Sequence, residues 1–249
     1  MIKRFNRYEI KYSVPVRQLR HLVPDLELFL EPDPHASASG YYKVSSLYFD
    51  TPDLDCYRNK LDGLLYRRKL RIRVYPDRPD DVAFVEIKQR INRTVQKRRL
   101  AMTLQDAYQL CSGHQRYHLS DPDDQEVADE VHYLVRSLRL VPQCVISYTR
   151  KAYQGYFVDP GLRLTFDTMI RTRRAGFDLE KPRREVLAFP AGMTVMEVKA
   201  NERAPHWLTT LLARHECNLD RISKYCYGIS KIMGQEVMRW ENAPATNIE

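Results

Sequence analysis

The chain predicts an α+β fold, an eight-stranded antiparallel β-barrel surrounded by helices. Three observations carry that expectation. Eight segments alternate in character with period two, proline-centred breaks separate several of them, and six segments of helical spacing lie among them. Eight strands joined mostly by hairpins make a sheet large enough to curl or close. With 249 residues, 43% hydrophobic and 29% charged, the chain supports a real core and is too apolar to be disordered.

The elements follow in order. A strand at residues 8–13 puts Glu9 and Lys11 on one face, because successive side chains point to opposite sides. A helix at 16–29 leads into an exposed loop at 31–40, a strand at 42–49 and a helix at 53–60. In the strand at 64–75, Lys69, Arg71, Arg73 and Tyr75 share one face, and Leu70, Ile72 and Val74 the other. A turn at 76–81 returns the chain into 82–90, where Glu86, Lys88 and Arg90 oppose Val85 and Ile87. Strand 94–103 brings Lys97 and Arg99 together; helix 104–111, loop 112–124 and helix 125–138 come next. Strand 143–153 pairs Tyr148 with Arg150, strand 162–172 aligns Arg163, Thr165 and Asp167, and strand 194–200 adds Glu197 and Lys199. Helices at 205–215 and 223–234 complete a single domain over 1–241, followed by a flexible tail at 242–249.

The charges on these faces matter more than their number. Forty Lys and Arg against 32 Asp and Glu leave a formal +8, which suits an anionic partner such as nucleic acid, acidic lipid or a phosphorylated metabolite. A solvated sheet face normally mixes signs, whereas these faces are mainly Lys and Arg with isolated Glu. Like charges about 4 Å apart cost ~1 kcal/mol in water and ~4 kcal/mol at an effective dielectric near 20. Rows converging in a curled sheet would therefore be strained without carboxylates, metal or a polyanion. A lumen of Lys and Arg with a few Glu suits a chain of phosphates and one or two hard cations.

Other features are plainer. No apolar stretch approaches the ~20 residues of a spanning helix, and the N-terminus lacks the apolar segment of a signal peptide, so a cytoplasmic protein is expected. Five cysteines without a C-x-x-C pair read as reduced structural thiols rather than a zinc site. His114 and His118 are four apart but sit in the loop at 112–124, and Trp207 and Trp240 read as packing residues. The basic runs at 171–174 and 181–184 read as a solvated loop that could lie near a tunnel mouth.

Nine short segments, in order, resemble the VTC domain, the polyphosphate-polymerising domain of the triphosphate tunnel metalloenzyme (CYTH-like) superfamily. They are Arg7-Tyr-Glu-Ile-Lys-Tyr12, Ser46-Leu-Tyr-Phe-Asp-Thr-Pro52, Lys69-Leu-Arg-Ile-Arg-Val-Tyr75, Phe84-Val-Glu-Ile-Lys88, Val95-Gln-Lys-Arg-Arg99, Tyr148-Thr-Arg150, Leu162-Arg-Leu-Thr-Phe-Asp-Thr168, Met196-Glu-Val-Lys199 and Arg221-Ile-Ser-Lys-Tyr225. The resemblance spans about residues 4–234 and implies an eight-stranded tunnel with metal-dependent transfer of the ATP γ-phosphate onto polyphosphate. It places Lys11, Arg71, Arg73, Lys88, Lys97, Arg150 and Lys224 at phosphate-binding positions, Tyr148 and Ser223 beside them, and Glu197 at the metal. Strand parity adds Lys69, Arg99, Arg163 and Lys199. Hydrolytic relatives open with Glu-x-Glu-x-Lys, but here Arg7 takes the first position. Glu9, Glu86 and Asp167 are left as metal ligands or internal counterions.

The expected catalytic group is Arg71, Arg73, Lys88, Arg150 and Glu197, with Mn²⁺ or Mg²⁺ as cofactor, ATP and polyphosphate or another polyanion as partners, and Lys11 and Lys224 along the chain's path. No protein nucleophile is needed, because phosphoryl transfer demands positioning and charge compensation. Loss of Arg73 or Glu197 should abolish transfer with the fold intact. Two other functions fit the same tunnel: a triphosphatase, or a non-catalytic module binding polyphosphate or inositol polyphosphate. Nucleic acid is not expected, since the arginine rows lack interleaved aromatics and no nucleic-acid-binding motif is evident. Coupling to export would require a separate membrane partner, and the sequence assigns no oligomeric state.

Overall fold

A computed structural model describes residues 8–34, 40–78, 80–92, 94–156, 159–181, 183–201 and 203–235. The expectations for Arg7, His35, Pro79, Pro182, Trp240 and the tail 242–249 lie outside the described residues. Strands β1 (Tyr8–Pro15), β2 (Leu30–Pro32), β3 (Tyr41–Asp50), β4 (Tyr66–Val74), β5 (Val82–Ile91), β6 (Thr94–Thr103), β7 (Val141–Gly155), β8 (Arg163–Arg173), β9 (Val186–Leu187), β10 (Met193–Ala200) and β11 (Asn218–Leu219) form one sheet. The helices are α1 (Leu19–Glu27), α2 (Asp55–Leu61), α3 (Leu104–Ser112), α4 (Pro122–Ser137), α5 (His206–Arg214) and α6 (Lys224–Ile232).

All eight expected strands form, but the sheet has 11 strands and is not a closed barrel. The order is β11-β1-β10-β8-β7-β3-β4-β5-β6, with β2 on β7 and β9 on β8, and β6 and β11 are its ends. The three additional strands have two or three residues each, too few for alternation to show. Period-two patterning assigns faces, whereas closure depends on tilt and stagger, which it does not encode. In place of a closing ladder, Lys88 of β5 reaches Glu9 of β1 at 2.8 Å across the concave side.

The apolar faces turn outward onto helices. Leu70, Ile72, Val85, Ile87 and Leu100 pack with Ala107, Leu110, Val131 and Leu134 of α3 and α4. On the other half, Leu164, Phe166, Met196 and Val198 pack with Leu22 and Leu26 of α1 and Leu208, Leu211 and Leu212 of α5. Burial of such faces at about 25 cal/mol per Å² drives the sheet to curl with its cationic faces inward. Helix starts are set locally: Asp121 accepts from the amides of Asp123 and Asp124 at the head of α4, three residues earlier than expected, with Pro122 at its first turn.

Helix α6 lies inside the trough, where Tyr225, Cys226 and Ile229 pack with Val44, Ile146, Tyr148 and Ile170. The approach is close enough that a Cβ on Gly228 would stand 2.2 Å from Ile146 Cδ1. A register shift at Met169 (φ +51°) lets Ile170 and Thr172 face α6 while Arg163, Thr165 and Asp167 keep the same side. No helix among the described residues is long and apolar enough to cross a membrane.

Candidate functional site

The concave side encloses a cavity of about 2900 Å³. Fifteen of the sixteen expected site residues line it: Glu9 and Lys11 from β1, Lys69, Arg71 and Arg73 from β4, Lys88 from β5, Lys97 and Arg99 from β6, Tyr148 and Arg150 from β7, Arg163 from β8, Glu197 and Lys199 from β10, and Ser223 with Lys224 at the head of α6. Glu86, 1% exposed, lies behind them. Eighteen Lys and Arg line the cavity against six Asp and Glu, an excess larger than the whole chain's net +8. The positive charge is thus concentrated inside rather than spread over the outer surface.

Cross-strand register explains which charges are compensated. Arg71, Glu86 and Arg99 stand directly opposite one another on β4, β5 and β6. Glu86 accepts from Arg71 Nε at 2.7 Å and Arg99 Nε at 2.8 Å and pairs with Lys97 at 2.6 Å. Burial alone would raise the Glu86 carboxyl, but Arg71, Arg73, Lys97 and Arg99 hold it well below the usual carboxylate range. It is therefore saturated as a counterion. Asp167 plays the same part on the other wall, bidentate with Arg150 at 2.6 and 2.8 Å and paired with Lys224 at 2.6 Å.

Of the expected carboxylates, Glu9 and Glu197 line the cavity itself. Glu197 accepts from Lys224 and Lys199, both at 2.9 Å, with Lys11 at 3.5 Å. Glu9 pairs with Lys88 and, at 3.3 Å, with Lys11. Burial opposes ionisation of both, yet the neighbouring lysines keep both well below the ordinary carboxylate range. Glu9 and Glu197 sit on paired strands, with Lys11 opposite Glu197 and Glu9 opposite Lys199. Two ionised carboxylates suit a hard cation that completes its shell with phosphate oxygens. Among the described residues no group of three His, Cys, Asp or Glu could hold a metal by itself, His114 and His118 included.

Other cations are crowded even where a carboxylate reaches them, as Glu9 reaches Lys88 and Glu86 reaches Lys97. Lys69, Lys88 and Lys97 stand directly opposite one another across β4, β5 and β6, a row of like charges that destabilises an empty sheet. Among the described residues Lys69 donates to Ser223 Oγ at 3.0 Å and lies 5.0 Å over the Tyr225 ring, with no carboxylate pair. Burial and then the charges of Arg71, Arg99 and Arg73 pull the Lys97 ammonium down to about 7 despite Glu86. Arg73 is buried and donates to the hydroxyls of Ser46 and Tyr148 at 3.2 Å, with its nearest carboxylate, Glu86, at 4.0 Å.

Several participants were not singled out from sequence. Tyr48 accepts from Arg71 Nη1 at 2.8 Å, and Tyr42 from Arg163 at 3.2 Å. Buried Asp50 accepts from Tyr225 OH at 2.5 Å and from the amides of Cys56 and Tyr57, fixing the ring that stacks on Tyr48. Tyr42, Ser46, Tyr48 and Asp50 share parity, the pattern that could have exposed them. The described residues of 171–174 and 181–184 do not line the cavity; Arg173 instead pairs with Glu185 at 2.6 Å and ties down its own loop. Trp207 packs as expected, stacked on Phe29 with centroids 4.5 Å apart.

A family model, the VTC domain, matches residues 6–233. Two solved structures share the fold. A Bacillus halodurans protein described as a candidate adenylate cyclase superposes with TM-score 0.53 at 14% identity, covering 88% of this chain and 95% of its own. A Hippeastrum protein, described as a candidate adenylyl cyclase with dominant triphosphatase activity, gives 0.51 at 17% identity, covering 92% and 97%. At these identities the likeness is one of fold. Comparison with curated proteins gives no match.

Proposed function

The chain belongs to the VTC domain family, and from that premise we propose that it is a metal-dependent polyphosphate polymerase working in the cationic cavity. The observation that carries this reading is the excess of eighteen lining cations over six lining acids, with the row Lys69, Lys88 and Lys97 beside the undercompensated Arg73, an arrangement that an extended polyanion would relieve. Arg71, Arg73, Lys88 and Arg150 hold the β and γ phosphates of ATP, with Tyr148 supporting Arg73 and Arg150 through its hydroxyl. Lys11, Lys224, Lys199 and Arg163, with Lys69, Ser223, Lys97 and Arg99, all of which line the cavity, would hold the acceptor chain.

In the transfer, a terminal oxygen of the acceptor chain forms a bond to the γ phosphorus, the bond to the β,γ-bridging oxygen breaks, and ADP leaves with that electron pair. The acceptor oxygen is already anionic at neutral pH, so no general base is required. Glu197, with Glu9, would hold Mn²⁺ or Mg²⁺, which when bound neutralises charge on the phosphate oxygens. The lysines now on these carboxylates turn to phosphate as substrate enters.

A second reading, triphosphatase, is favoured by the Hippeastrum likeness in fold. Incubation with ATP and manganese separates the two: long-chain product supports the polymerase, phosphate release alone supports hydrolysis, and binding without ATP consumption overturns both.

A further inference from the structure

Gly63, Leu65, Arg67, Arg90 and Asn92 form one rim of the cavity, where the turn after α2 meets the end of β5. The two are tied together by the Asn92 amide donating to the Leu65 carbonyl at 3.0 Å. At that rim the chain runs Leu61-Asp-Gly-Leu-Leu-Tyr66 entirely exposed, with Leu64 at 47%, Leu65 at 67%, Tyr66 at 48% and, beside them, Ile91 at 42% exposure. Gly63 makes the tip with φ +72°, and a Cβ there would meet nothing within 4 Å, so the loop projects into open space. Lys60, Arg67 and Arg90 flank it and form no carboxylate pair among the described residues. Asp62 is the only acid between residues 56 and 76.

We propose that this rim docks on an anionic lipid bilayer, with Leu64, Leu65 and Tyr66 entering the headgroup region and Lys60, Arg67 and Arg90 meeting lipid phosphates. Apolar tips flanked by cations, with a tyrosine between, match the bilayer interface on both counts. A phosphate chain passing the rim would use the cations and leave the leucines in water. A second copy face to face would set the three cations against their own images, which is repulsive. Crowding supports an anion here independently: burial and the Arg67 charge pull the Lys60 ammonium down to about 8, and burial and Arg90 lower Arg67. The proposal does not depend on which phosphoryl chemistry the cavity performs.

The test is flotation of the full chain, without ATP, on phosphatidylcholine vesicles with and without phosphatidylglycerol. Binding to the anionic vesicles alone is expected, falling about fivefold for each of Lys60, Arg67 and Arg90 replaced by Gln. The Leu64→Ser variant should lose at least about threefold while its ATP consumption and tripolyphosphate affinity stay unchanged. Equal flotation of wild type and variant, or none by the wild type, overturns the proposal. So does tripolyphosphate affinity that falls with the leucine, or a dimer in light scattering that the leucine substitution dissolves, which would assign the rim to a polyanion or to a second copy.

Discussion

Glu86 offsets cations from both neighbouring strands at once, Arg71 and Arg73 of β4 and Lys97 and Arg99 of β6, and its removal would leave them crowded together. Glu86→Gln should lower unfolding free energy by about 3–5 kcal/mol in denaturant titration, and tripolyphosphate should restore part of that. Arg73 is the opposite case, since its nearest carboxylate is 4.0 Å away. Arg73→Met should leave the melting temperature unchanged or raised while weakening tripolyphosphate binding at least about tenfold, as expected for loss of a charge-assisted contact. The sequence expectation that Glu197 could be lost without cost to the fold needs amendment, because three lysines share its carboxylate. Lys97 supplies a pH signature. Its folded ammonium titrates near 7, well below its ordinary value, so the unfolded chain binds more protons between about pH 7 and 10. Its contribution to stability therefore grows as pH rises across that window and is fully unfavourable below it. A bound polyanion draws the proton back, so tripolyphosphate binding should take up protons near pH 8 and weaken toward pH 9. Calorimetry in buffers of different ionisation enthalpy reads this, and Lys97→Arg should flatten the dependence.

Strands were legible because alternation over six or more residues is hard to mistake, and strand parity together with the family resemblance carried fifteen of sixteen chosen residues into one cavity. Which carboxylate compensates which cation was not legible. That depends on register, such as Arg71 facing Glu86 facing Arg99, and register is set between strands distant in sequence. Strands β2, β9 and β11 were missed because two or three residues carry no period. Helix α6 was expected as a helix, but not inside the trough, since nothing in its own spacing says which surface it meets. Gly228 marks the contact. Gly228→Ala should cost about 1–3 kcal/mol through the clash with Ile146, and should also displace Lys224 at the head of the same helix. Loss of activity beyond the loss of folded protein, partly recovered by adding Ile146→Val, is the expected result.

For the whole molecule, outward apolar faces packed on two sets of helices force the cationic faces together, and the sheet bears that repulsion through Glu86, Asp167, Glu197 and Glu9. The six lining carboxylates, with Glu86 and Asp167 behind them, do not balance eighteen lining cations, so the cavity is a standing site for an extended anion. That the wall is an open curl rather than a closed barrel was beyond the pattern, because strand alternation fixes faces but not the final edge. The most direct measurement is crystallography with a nonhydrolysable ATP analogue and manganese, using the anomalous signal of the metal. The phosphates are expected among Arg71, Arg73, Lys88 and Arg150 with manganese on Glu197. Nucleotide bound on the outer surface, with the cavity's lysines and arginines untouched, would contradict the account.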